Sequence, residues 1–460
     1  MVSTVNKEER RARNKEKFSE DKLKFKTAIQ ILVALAFINA TLIVLLPSYL
    51  GFSSTSSLSY YVNDGWCTRG QGIGSHCFGD FYYPFNFSNL DAPWAAGPQP
   101  IPYPPLSLYI FEIFRIISDS TTFRHLSLNI YLVASVLAMM FPSFHLFRKK
   151  LIDKKIAFIL GAATLMSAPM IASFDRGNLQ MIATPLVYLC IFYFITASDK
   201  GFLLSSCLLI SLKPQYILLG ALFIGKHQFK ELFKWFSTVS FIFLSTFALY
   251  PVNALENLRN FLDQIKVFNH YQPAGILFPT NLSFSSSTSL IYRFFSDHNP
   301  ESVSKVSSLF IPLWITAPIF VLILIVIWRA GPNINRYVLM FVVLCFPILL
   351  PGVVFAYHAN TLVIFFLFLG VQIYSTLHEP IHQSNSPSYF IQSRINYVFA
   401  ISIAAFLFIP FVIPWNVIPR YSTLTDGNVT ISWTVLQVLV QIFFFKLIYD
   451  LLIKKKTEKR

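Results

Sequence analysis

The sequence predicts an all-α polytopic membrane protein: a bundle of about 10–12 transmembrane helices, long external loops, and one re-entrant or broken helix pair. Three observations predict the bundle. Of 460 residues, 54% are hydrophobic and 13% charged, where soluble domains carry roughly 25% charged residues. Apolar runs close to the length of a bilayer core recur along the chain, separated by short polar connectors. The formal net charge is +15, yet the basic residues crowd into the two ends and a few connectors, the positive-inside pattern rather than a nucleic-acid patch.

The elements follow in order. Residues 1–26 form a basic tail, with nine Lys or Arg against five Asp or Glu between Lys7 and Lys26. Such a tail belongs on the cytoplasmic side. The first span is expected over Thr27–Leu50; it follows a charged tail and is long enough to cross, so no cleavable signal peptide is read. An external loop, residues 51–123, comes next; a short interfacial helix is expected after Tyr103-Pro104-Pro105. His125–Leu146 returns to a turn anchored by Arg148-Lys149-Lys150 and Lys154-Lys155. Ile156–Ser173 crosses outward and Leu179–Thr196 comes back.

Gly201–Gly225 is interrupted by Lys213-Pro214, and both its ends have basic neighbours. It reads as two half-helices that enter from the cytoplasm and return, sheltered by protein or lining a cavity. Trp235–Tyr250 crosses to a second external segment, residues 251–307. Leu309–Trp328, Tyr337–Ala356, Thr361–Tyr374, Tyr397–Ile413 and Trp433–Leu452 complete ten full crossings, which leaves both termini cytoplasmic, the second in a basic tail, 453–460. No repeat or soluble domain is read, so residues 27–452 are expected to form one membrane-embedded catalytic domain.

Cys190, Cys207 and Cys345 lie in apolar runs and read as small core side chains. Cys67 and Cys77 share the first external loop, where an exported compartment allows them to pair. Zinc on Cys67, His76 and Cys77 is the alternative, but without a fourth ligand no metal site is assigned. Asn86-Phe87-Ser88, Asn281-Leu282-Ser283 and Asn428-Val429-Thr430 fit the glycosylation pattern on the external face.

Four polar groups stand out against this apolar background. Asp80 in Gly79-Asp80-Phe81-Tyr82-Tyr83 is a carboxylate among aromatic side chains, suited to a general base whose pKa is tuned by desolvation; Asp64 is the second choice. Asp175-Arg176-Gly177-Asn178 sits at an outer turn, a position that a capped helix end also explains. Lys213, at membrane depth, has phosphate as its natural partner. Tyr357-His358-Ala359-Asn360 marks another outer turn. A carboxylate, an Arg, a Lys and a His converging there suit a phosphate at the membrane edge and a proton removed beside it.

The ordered set Gly-Asp-Phe-Tyr-Tyr, Ala-Pro-Trp, Tyr-Pro-Pro-Leu, Asp-Arg-Gly-Asn-Leu, Leu-Lys-Pro and a late His turn resembles the GT-C membrane glycosyltransferases, and within them glycosyltransferase family 87. Asn281-Leu282-Ser283 followed by Arg293 resembles the same family, while His358 departs from its paired-His pattern. The resemblance implies transfer of a sugar, mannose first and arabinofuranose second, from a polyprenyl-phosphate donor to a glycolipid or glycan acceptor outside the cytoplasm. It implies inversion, with Asp80 as base. Arg176 and Lys213 would meet the leaving phosphate, and Asn178, Asn281 and His358 would orient sugar or phosphate. No cofactor is expected, because a lipid donor needs no nucleotide-binding fold and no Gly-rich nucleotide motif is present. The expected location is the cell membrane, with the active site facing outward. The alternative is a transporter or flippase of a lipid-linked sugar, which the broken element at Lys213-Pro214 also suits.

Overall fold

A computed structural model of the chain describes residues 78–88, 92–95, 101–119, 126–251, 253–271, 313–350, 356–376, 390, 394–408 and 431–457, with positions 34 and 38. Among these residues all regular structure is helical, as expected of a polytopic membrane protein. The expected first span lies outside the described residues apart from those two positions. So do Asp64, Cys67, His76, Cys77, Asn281 and Asn428.

The first described helix, α1 (Gly79–Phe87), falls in the first loop expected to be external. After a turn of 3-10 helix at Pro93–Ala95 comes α2 (Pro105–Asp119), which starts on Pro105 as the expected interfacial helix does. Pro suits a helix start because its missing N–H would be unpaired there in any case. α3 (Leu126–Arg148) has 23 residues and is long and apolar enough to cross a membrane. At 1.5 Å per residue it is roughly 35 Å long.

The outward span expected over Ile156–Ser173 is two helices, α4 (Lys154–Leu165) and α5 (Ala168–Arg176), bent by 63°. The break has a local cause. Ser167 is extended and donates its hydroxyl to the Thr164 carbonyl, and Pro169 then opens α5 without an N–H to offer the preceding turn.

The return is α6 (Gln180–Ile195), and α7 (Asp199–Leu212) packs along it. Lys213 is extended, at φ −140° and ψ 92°, as the residue before a proline tends to be. A 3-10 stretch, Pro214–Gly220, and α8 (Ala221–Gly225) then lead back. The far end of this hairpin is tied to the connectors expected on the cytoplasmic side. Lys226 Nζ donates to the carbonyls of Pro332 and Ile334, and Arg336 Nη1 to those of Phe194 and Ile195. The hairpin thus enters and returns at one end of the bundle.

α9 (Phe229–Phe247) leads to α10 (Ala254–Tyr271), which lies in the second segment expected to be external. α11 (Leu313–Ala330), α12 (Arg336–Leu349), α13 (Asn360–Thr376), α14 (Arg394–Phe408) and α15 (Ile431–Thr457) follow, with a 3-10 turn at Ala356–Ala359 before α13. Within α15, Val435–Ile453 is also long and apolar enough to cross, and the bent α4–α5 pair counts as a third such span. The other apolar helices are shorter; α12 has only 14 residues, below the roughly 20 that a hydrocarbon core demands.

Every residue from Tyr337 to Leu349 is buried, which puts α12 at the centre of the bundle. Phe229, Phe233, Phe236 and Phe241 on α9 are exposed, as are Val133, Leu137 and Phe144 on α3. Apolar faces of this kind suit lipid, where exposure of Phe carries no hydration cost. A smaller core gathers Trp94, Ile101, Leu108, Phe247, Tyr250 and Phe261. Gln264 of α10 accepts from the Ile101 N–H and donates to the Trp94 carbonyl, clasping both sides of that loop.

Candidate active site

Phe81 fixes α1. It is fully buried and its ring meets Phe85, Phe111, Phe114 and Tyr131, so α1 is pressed against α2 and the start of α3. Asp80, one residue earlier, is thereby aimed at the end of α5. That end is shaped by Gly177, whose φ of +65° lies in the left-handed region. Gly177 N–H donates to the Phe174 carbonyl and Asn178 N–H to that of Ser173, a Schellman cap. A Cβ on Gly177 would lie 2.8 Å from the Phe81 Cβ. Gly is therefore required twice, for its backbone angle and for the approach of α1.

The cap presents Arg176 and Asn178 to Asp80. Arg176 Nε donates to Asp80 Oδ2 at 2.9 Å and Nη2 to Oδ1 at 2.8 Å, a bidentate pair. Asn178 Nδ2 also donates to Oδ2, at 2.5 Å. Lys213 Nζ, from the tip of the broken element, reaches Asn178 Oδ1 at 3.2 Å, and the Gln180 backbone N–H holds the same oxygen at 2.8 Å. The side chains of Asp80 and Arg176 keep only 13% and 9% of their exposure.

Burial raises the Asp80 carboxyl from 3.8 to about 6, against the downward pull of the Asn178 hydrogen bond and the Lys213 charge. The Arg176 fork favours the ionised form as well, so the group is a carboxylate at neutral pH. A carboxylate offers about four lone-pair sites. Among the described residues three donors occupy them, two on Oδ2 and one on Oδ1. Among the described residues Oδ1 therefore has one lone-pair site without a donor.

Four residues expected in the site, Asp80, Arg176, Asn178 and Lys213, form one connected group. Arg176, expected to face phosphate, grips the carboxylate here. His358 is half-buried in the 3-10 turn that packs on α5, beside the site rather than bonded to Asp80. Asn86 is exposed on α1.

A second polar layer lies beneath and was not foreseen. Gln180 Nε2 donates to the Tyr216 hydroxyl at 2.8 Å, and that hydroxyl meets Thr361 Oγ1 at 2.8 Å. Asn360 Nδ2 donates to Ser173 Oγ at 2.7 Å. Tyr131 donates its hydroxyl to the Gly177 carbonyl, and Ser107 to that of Leu212. The signal for this layer was present in the sequence: Gln180, Ser173 and Thr361 are polar residues inside or at the edge of apolar runs, where they are costly.

The site is a buried carboxylate held by an arginine and an asparagine, with a lysine one hydrogen bond further on. The profile described as glycosyltransferase family 87 matches residues 102–351, more than half of the chain. The chain belongs to glycosyltransferase family 87. This membership makes it a membrane glycosyltransferase, working on a sugar donor and an acceptor, and sets aside the transporter reading. The family 87 match includes Arg176, Asn178 and Lys213, while Asp80 precedes it. Searches of curated proteins and of solved structures give no match.

Proposed function

We propose that the protein transfers a sugar, mannose first, from a polyprenyl-phosphate donor to a glycolipid or glycan acceptor on the outer face of the cell membrane. The observation that carries this reading is the buried Asp80 carboxylate, with Lys213 held across Asn178 from it at the tip of a broken helix. In one displacement, Asp80 Oδ1 takes the proton of the acceptor hydroxyl as that oxygen bonds to the anomeric carbon. The bond from that carbon to the phosphate oxygen breaks on the other face, which inverts the centre, and the lipid phosphate leaves with the electron pair. Lys213 stabilises the charge that develops on it, as a fixed cation in a dry site does, while Arg176 keeps the Asp80 carboxylate ionised and in place. Asn178 holds Asp80 and Lys213 in register, and Asn281 and His358 orient sugar or phosphate.

The reading places the basic connectors at Arg148–Lys150, Lys226 and Arg329–Arg336 on the cytoplasmic side, with both termini. Cys67 and Cys77 pair in the external loop, and Asp64 is the reserve base.

The test is transfer of labelled mannose from polyprenyl-phosphate mannose in membranes carrying the wild type or Asp80→Asn. Loss of transfer at normal protein levels is the expected result. Transfer that survives in Asp80→Asn removes this base and moves the role to Asp64. If wild type uses polyprenyl-phosphate arabinofuranose alone, the sugar assignment changes and the base stands.

A further inference from the structure

The polar layer beneath Asp80 has no part in the displacement, yet it is placed where polar groups are expensive. Gln180 and Tyr216 are buried, at 0% and 1% exposure, as is Thr361. Gln180 Oε1 has no hydrogen-bond partner among the described residues, so the layer is not even fully satisfied. A buried polar network with one unmade bond is less stabilising than apolar side chains of the same shape. Leu, Phe and Val at these three positions would fill the same space. What the polar set provides instead is a fixed distance among three elements: the start of α6, the return limb of the broken helix, and the start of α13.

The return limb is the one that matters for the site. The Lys213 carbonyl accepts from Tyr216 N–H at 3.1 Å, so the two residues form one rigid turn started by Pro214. Fixing the Tyr216 hydroxyl therefore fixes the backbone from which Lys213 reaches Asn178. Gln180 serves both ends of this link, since its backbone N–H holds Asn178 Oδ1 and its side chain holds Tyr216.

We propose that Tyr216 is a positioning residue, which through Gln180 and Thr361 sets the Lys213 ammonium against Asn178 and the donor phosphate. The phosphate part of this statement rests on the proposed function; the placement of Lys213 does not. The test therefore has two readouts, on purified full-length protein in detergent.

The first is independent of any donor. The rate at which an isotope-coded acylating reagent labels Lys213 is followed by mass spectrometry for wild type, Tyr216→Phe and Thr361→Val. Tyr188→Phe, which removes a buried hydroxyl bonded to His145 elsewhere in the bundle, is the control. We expect labelling of Lys213 to change about threefold or more in Tyr216→Phe and in the same direction in Thr361→Val, with Lys226 unchanged, because one lost hydrogen bond shifts a local equilibrium by roughly that factor. Lys213 labelling that matches the control overturns the proposal.

The second readout is kinetic. Tyr216→Phe is expected to lower kcat/KM for the polyprenyl-phosphate donor about tenfold in the wild-type background and less than about twofold beside Lys213→Gln. An equal loss in both backgrounds means a merely structural hydroxyl and overturns the link to Lys213. If wild type fails with every polyprenyl-phosphate donor, the proposed function falls, and the labelling result still decides whether Tyr216 positions Lys213.

Discussion

In the proposed mechanism two demands meet on a single residue, Asp80: it must be ionised to take a proton, yet dry enough to be basic. Burial raises its carboxyl to about 6, and the cations beside it keep it ionised above that value. Since the base works only when deprotonated, kcat/KM is expected to fall as pH drops through about 6. A pH–rate profile from 4.5 to 8 checks this, and an acid limb near 4 would contradict it. Asn178→Ala removes a hydrogen bond that lowers the Asp80 pKa, so the acid limb should move to higher pH while the plateau also drops. Asp80 and Lys213 were legible as isolated polar residues in aromatic and apolar surroundings. The Arg176 fork onto Asp80 was not, because 96 residues separate the partners and either side chain alone suits a helix end.

At the scale of elements, the geometry of the site depends on two small contacts. Gly177→Ala puts a side chain into the left-handed region, at about 1–2 kcal/mol, and drives its Cβ into Phe81. It should lower the melting temperature and cut transfer more than in proportion to the folded fraction, because Asp80 moves with Phe81. Phe81→Ala empties the ring's place among Phe111, Phe114 and Tyr131, at about 3–5 kcal/mol. Thermal unfolding followed by tryptophan fluorescence checks both. The Gly-Asn pair after Arg176 read equally well as a plain helix cap, and the structure makes it a cap that also carries the Asn178 hydrogen bond to Asp80. The helix break at Lys213 was visible in the sequence, since Pro214 forbids the continuation of α7 and fixes its predecessor as extended. The bend between α4 and α5 was not foreseen; an apolar run of 18 residues conceals a break made only by Ser167 and Pro169.

Across the whole molecule, the ends of the bundle differ in chemistry. Asp80, Arg176, Asn178 and Lys213 gather at one end. At the other, Arg336 caps backbone carbonyls at the end of α6, where a cation is favoured by the helix dipole, and Lys226 holds carbonyls of the connector between α11 and α12. Cysteines placed at exposed Asn86 and Lys154 should react with a membrane-impermeant maleimide from opposite sides of sealed vesicles, Asn86→Cys from the external side; labelling from one side alone would refute the assigned topology. The sequence by itself determined the membrane class, most helix positions and the location of the helix break. These depend on local quantities: hydropathy over a window, proline stereochemistry and the placement of Lys and Arg. Only the tertiary structure decided that Arg176 clamps Asp80, that Lys213 joins them through Asn178, and that Gln180, Tyr216 and Thr361 form a layer beneath. Such pairings depend on which helix ends meet across the bundle, and packing sets that through Phe81 and Gly177, which no one-dimensional pattern encodes.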